Sequence, residues 1–100
     1  MKVHELKTWP DPFEALLMGL KNFEIRKNDR GFKVGDILIL KEWEPNHTTP
    51  SGAVSEAGEY TGRGVRAGVT YMAEGSWDLP PGLCVMSIRI IDFTIEDDSG

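Results

Sequence analysis

Gly19 to Asp36 reads G-L-K-N-F-E-I-R-K-N-D-R-G-F-K-V-G-D. In order it holds a helix stop, a strand, a turn and the launch of a second strand. Gly19 supplies the left-handed residue that commonly ends a helix. Asn22 to Lys27 alternates, with Phe23, Ile25 and Lys27 on one face and Glu24 and Arg26 on the other. The reading that sends the apolar pair inward leaves Glu24 and Arg26 as outward neighbours, roughly 7 Å apart along the strand. Asn28-Asp29-Arg30-Gly31 is a turn by composition. Val34-Gly35-Asp36 then launches Ile37-Leu38-Ile39-Leu40, apolar on both faces as a central or barrel strand requires. The same window gathers Lys21, Arg26, Lys27, Arg30 and Lys33 around Glu24 and Asp29, in a chain of net charge -5. Bulk composition does not predict such a cluster, which points to an anionic ligand.

Toward the N-terminus, Val3 to Lys7 alternates as a first strand with His4 and Leu6 on one face. Asp11-Pro12-Phe13-Glu14 carries the signature of a helix start. Asp11 is placed as the cap, Pro12 as the first helical residue, and Glu14 reaches back to the free N–H. Phe13, Leu16, Leu17 and Leu20 form one apolar stripe, predicting a helix over 12–18. Toward the C-terminus, Trp43 ends the third strand, and residues 44–59 form a long polar loop. Arg63 to Tyr71 alternates, with Val65, Ala67, Val69 and Tyr71 on one face. Residues 73–82, with Trp77 and Pro80-Pro81, make a second loop. Leu83 to Ile91 is the last strand, turning Cys84, Met86, Ile88 and Ile90 one way, and an acidic tail occupies 94–100. The whole predicts one domain over 1–100, mostly β (α+β), in which a small closed or nearly closed barrel carries one short helix over an end.

Composition narrows the function classes. Hydrophobic residues make up 40% and charged residues 27%, as in ordinary globular domains. The single cysteine, Cys84, excludes an internal disulfide and fits a reducing compartment. No signal-like or membrane-length apolar run occurs, so a cytoplasmic protein without a membrane partner is expected. Overall acidity argues against broad, sequence-independent binding of duplex nucleic acid, though not against a small focused site. The two histidines, His4 and His47, lie far apart and no C-x-x-C occurs, so no metal is expected. Neither a phosphate loop nor a dinucleotide fingerprint is present, and no cofactor is expected.

Lys21, Glu24 and Arg26 form the strongest candidate site. Arginine grips phosphate or carboxylate with two prongs, and glutamate accepts from the exocyclic amine of a base. The plain alternative is a surface ion pair worth ~0–1 kcal/mol. His4 reads as a proton donor, a base-stacking group or a satisfied structural residue. Trp9 reads as a packing lid over the helix start, while Trp43 and Trp77 could pack or stack an unpaired base.

The order strand, helix, then G-x-K-x-x-E-x-R (Gly19, Lys21, Glu24, Arg26), followed by V-G-D (Val34, Gly35, Asp36), resembles the ASCH domain. The longer string from H-E-L-K-T-W-P to V-G-D-I-L-I-L-K-E-W is similar to a group of small bacterial and phage proteins of unassigned function, placed beside ASCH domains. The resemblance implies a PUA-like β-barrel whose cleft binds RNA or a nucleotide-like ligand. For this chain it makes His4, Lys7, Lys21, Glu24, Arg26, Lys27 and Arg30 the candidate ligand-binding residues. Some ASCH members are amidohydrolases acting on N4-acetylcytidine through a lysine, a threonine and a glutamate. Lys21 matches the lysine, Glu24 stands where the threonine would be, and Glu74 is a possible match for the glutamate. Were the protein an enzyme, Lys21 and Glu24 would be the catalytic pair. A third expectation is a protein-interaction domain that engages a partner through the 44–59 loop.

Overall fold

The computed structural model describes residues 1–45, 57–75 and 79–95. Over these the chain forms β1 (Val3–Thr8), α1 (Pro10–Leu17), β2 (Phe23–Lys27), β3 (Ile37–Pro45), β4 (Gly58–Glu74) and β5 (Leu83–Ile95). The strands build one sheet in the order β1-β3-β4-β5-β2. β3, β4 and β5 form an antiparallel meander, β1 lies parallel to β3, and β2 runs antiparallel to β5. The expected mostly β domain with one short helix is what forms. Its sheet curls as a half-barrel and does not close: the hydrogen-bonded ladder stops at β1 on one side and β2 on the other.

The core lies on the inner face of the curl. β1 contributes His4, Leu6 and Thr8 by strict alternation. α1 packs against β3 and buries Phe13 and Leu16 completely. Leu38, Leu40, Val65, Ala67, Val69, Cys84, Met86 and Ile88 complete the cluster with Phe32. Cys84 is free and buried, and burial pushes its thiol up.

Several element boundaries differ from those expected. The helix starts at Pro10, not Pro12. Trp9 occupies the capping position with an extended backbone and no side-chain cap, so Asp11 falls inside the first turn. Proline tolerates the first helical position because its missing N–H would have no partner there, and Asp11 then meets the positive end of the helix dipole. Gly19 stops the helix as expected, at φ 74°. Leu20 and Lys21 both donate their N–H to Ala15 O, turning the chain aside and leaving Leu20 73% exposed, off the apolar stripe.

Trp43 is buried inside β3 and does not end it. A register shift between Lys41 and Trp43 places Glu42 and Trp43 both in buried positions. Another shift, between Val69 and Tyr71, turns Tyr71 outward. β4 runs from Gly58 to Glu74, longer than the expected 63–71, so the 44–59 loop is shortened at both ends and the 73–82 loop starts later. β5 continues through Thr94 and Ile95, residues assigned above to the acidic tail. His47, Trp77 and the centre of the 44–59 loop lie outside the described residues.

The largest inversion is in β2. Phe23 and Ile25 face outward, and Glu24 is 2% exposed. The reason is register. Glu24 pairs with Met86 of β5, and paired residues share a face of the sheet. Met86 is fully buried, so Glu24 points to the core as well.

The V-G-D element is a knot between strand starts. Gly35 takes φ 95°, a conformation that favours glycine. Asp36 Oδ1 accepts from Lys2 N (3.1 Å), while Oδ2 accepts from Lys33 N (3.0 Å) and lies 2.9 Å from His4 Nε2. Burial alone would push the Asp36 carboxyl up. The hydrogen bonds from His4, Lys2 and Lys33 outweigh it and hold the carboxyl at about 2, against an ordinary 3.8. The folded state therefore binds this proton more weakly than the unfolded chain, and the stabilisation, about 2 kcal/mol, is complete only above the unfolded value. Denaturant unfolding as a function of pH is expected to show stability eroding as pH falls from about 4 toward 2. Asp36→Asn is expected to lower stability at neutral pH and to flatten that acid limb.

Candidate functional site

The sheet's two edge strands face one another across a seam, and side chains bridge it. Glu24 sits at its base with both oxygens engaged. Lys21 Nζ donates to Oε1 at 2.7 Å and Arg26 Nε to Oε2 at 3.1 Å. The Glu24 side chain is 3% exposed, against 19% for Lys21 and 28% for Arg26. Arg26 Nη2 then crosses to Lys7 O of β1 at 2.8 Å, and Arg30 Nη1 reaches Glu5 O at 2.6 Å. The helix stop at Gly19 places Lys21 just before β2, so one short segment delivers all the charges of the clamp.

Two cavities lie along the seam. The first, of about 340 Å³, is lined by Lys7, Thr8, Trp9, Pro12, Lys21, Glu24, Ile25 and Arg26. The second, of about 200 Å³, is lined by Leu6, Arg26, Lys27, Asp29, Arg30 and Phe32. Arg26 belongs to both and forms the partition. Trp9 is 46% exposed at the rim of the first cavity and tilts against Trp43, with ring centroids 6.4 Å apart. Lys7 Nζ rests over the Trp43 ring at 4.6 Å.

Six of the seven expected ligand residues thus meet at the seam: Lys7, Lys21, Glu24 and Arg26 on the first cavity, Lys27 and Arg30 (with Arg26) on the second. His4 does not join them. It is buried, bonded to Asp36 and set against Phe32 with ring centroids 4.6 Å apart. Glu74 lies near the end of β4, where it accepts from Asn28 Nδ2. Among the described residues, no group of three or more metal-ligating side chains converges.

Two features went unread in the sequence. Thr8 is 3% exposed, lines the first cavity, and its hydroxyl has no hydrogen-bond partner among the described residues. Beside it in the β1–β3 register stands Glu42, also buried. Arg63 grips Glu42 with Nε to Oε1 at 2.9 Å and Nη2 to Oε2 at 2.8 Å, and Thr61 Oγ1 adds a third bond at 2.6 Å. The Arg63 bonds hold the Glu42 carboxyl below the usual range, against burial. Arg63 also bonds Glu14 of α1 and lies over Phe13, so this cluster pins the helix to the sheet. The available signal was parity: Glu42 follows Leu38 and Leu40 at the spacing of one strand face.

An unpartnered buried hydroxyl costs about 1–3 kcal/mol. Thr8→Val, nearly the same shape, is therefore expected to keep or raise the melting temperature. A clear fall in thermal denaturation would show that the hydroxyl is satisfied in the free protein.

A protein-family profile described as a domain of unknown function, DUF3850, matches residues 3–88. An uncharacterized 12.9 kDa protein of Escherichia phage P2, described by its place in the GpA 3′ region, is 39% identical over 69 residues. That alignment takes in 69% of this chain and 52% of the phage protein, so the chain spans about half the length of this relative. Every seam residue named above falls inside the family match, and on a match that covers most of its length the chain belongs to the DUF3850 family.

Proposed function

We propose that this protein binds RNA or a nucleotide-like ligand in the first seam cavity. The observation that carries the reading is convergence: Lys21 and Arg26 grip a single buried carboxylate, and Lys7 joins them in the lining of one cleft of about 340 Å³, beside the partly exposed Trp9. That volume lies at the small end of the range for ligand pockets. Cations suit a phosphate, an exposed indole suits a base, and the buried Thr8 hydroxyl offers a polar contact to a base edge. The net positive lining on an acidic chain concentrates attraction at this place.

Lys21 and Arg26, from the ASCH-like G-x-K-x-x-E-x-R run, line the cleft, which supports placing the chain beside ASCH domains on a PUA-like fold. Cys84 as a free thiol supports a cytoplasmic setting. Binding is favoured over amide hydrolysis on geometry. Lys21 donates to Glu24, the arrangement of a grip and not of a base, and Glu74 is committed to Asn28.

Titration of labelled RNA at two salt concentrations tests the reading. Affinity is expected to fall as salt rises, in proportion to the phosphates contacted. Lys21→Gln keeps an amide donor for Glu24 but removes the charge; it is expected to weaken binding and to shallow the salt slope by about one phosphate contact. Absence of binding at both salt concentrations would overturn the proposal.

A further inference from the structure

The two arginines that bridge the seam have a second property. Arg26 is anchored on the carbonyl of Lys7 and Arg30 on that of Glu5. These carbonyls are two residues apart on one strand, so the anchor points lie about 7 Å apart along β1. Each guanidinium is thereby held in place before any ligand arrives, which lowers the ordering cost of binding. Neither is used up. Among the described residues, Arg30 commits only Nη1, and Arg26 commits Nε and Nη2.

The cavities on the two sides of Arg26 are alike in charge. The first sets three cations (Lys7, Lys21, Arg26) against Glu24, and the second sets three (Arg26, Lys27, Arg30) against Asp29. Trp9, 46% exposed, stands in the wall of the first, while the second is lined by Phe32, a buried core residue. Small cavities of this kind, set side by side along a cationic track with an exposed indole beside one of them, match a polynucleotide strand whose bases are unpaired. Volumes of about 340 and 200 Å³ suit single bases one at a time, not base pairs.

We infer that the seam is a track for a single-stranded polynucleotide, with successive phosphates on Arg26 and Arg30 and a nucleotide on each side of the Arg26 partition. This rests on the proposed nucleotide-binding reading and makes it narrower, since a lone mononucleotide would fill only half of the site.

The test compares cytidine monophosphate with oligocytidylates of two, four and eight nucleotides, in ribose and deoxyribose forms, and with a mixed-sequence RNA duplex. Wild-type affinity is expected to rise at least tenfold from the mononucleotide to the dinucleotide or tetranucleotide, and the duplex to compete poorly. Binding of either sugar form supports the track, and the tighter one names its source. Arg30→Ala removes the distal phosphate contact from an exposed position; Arg30→Gln removes its charge but keeps a donor for Glu5 O. Both variants are expected to weaken the oligomers about tenfold and the mononucleotide, which the first cavity holds, by much less, so that the gain from mononucleotide to oligomer shrinks. Equal affinity for mononucleotide and oligomers overturns the track and leaves the binding proposal standing, as does a duplex that binds as well as the single strand. Failure of every probe to bind overturns both.

Discussion

Everything at the seam depends on the burial of one carboxylate. Placing Glu24 in the interior costs several kcal/mol of lost hydration, and only close cationic partners offset it. Lys21 and Arg26 do so from positions three residues before and two residues after it. Because they must reach an inward-facing acid from the surface, both cations are held at the mouth of the seam. The arrangement that makes an edge strand tolerable therefore also places positive charge beside a cavity. Two more buried acids follow the same logic elsewhere. Asp36 ties the start of β1 to the start of β3, and Glu42 ties β3 to β4 and, through Arg63, to α1.

An open half-barrel leaves two strand edges to manage. Exposed edges invite pairing with other chains, and charged side chains commonly protect them. Here Arg26 and Arg30 cap two outward carbonyls of β1. Side-chain donors stand in for the missing strand contact, and unlike a strand they leave cavities between them. The open architecture and the candidate site are one feature.

How much could be read in advance varied from element to element. β1 was legible because His4 and Leu6 alternate with Val3, Glu5 and Lys7, although the strand runs one residue further, to Thr8. The helix and its stop were legible from Phe13, Leu16 and Gly19, although Trp9-Pro10 moved its start. The clustering of Lys21, Glu24, Arg26 and Arg30 was visible because those residues are close in the chain. Glu42 with Arg63, and Thr8 with the seam, were not, since their partners lie on distant strands or across the sheet. Of the readings open for His4, the structure shows the satisfied structural residue, and nothing local discloses that Asp36, 32 residues away, is its partner.

By itself the sequence determined a mostly β chain with one short helix stopped at Gly19, a V-G-D run that launches an apolar strand, and a basic cluster on an acidic background. These rest on local rules: alternation, the apolar stripe of a helix, and glycine's backbone freedom. Tertiary structure alone decided which way β2 faces. Two outward readings of F-E-I-R-K are equally regular, and the apolar one looks inward by composition. Pairing with β5 overrides composition because a one-residue change of register would turn the whole strand over, and Met86 fixes which face is the core. That choice buries Glu24, draws Lys21 and Arg26 around it, and opens the seam between β1 and β2.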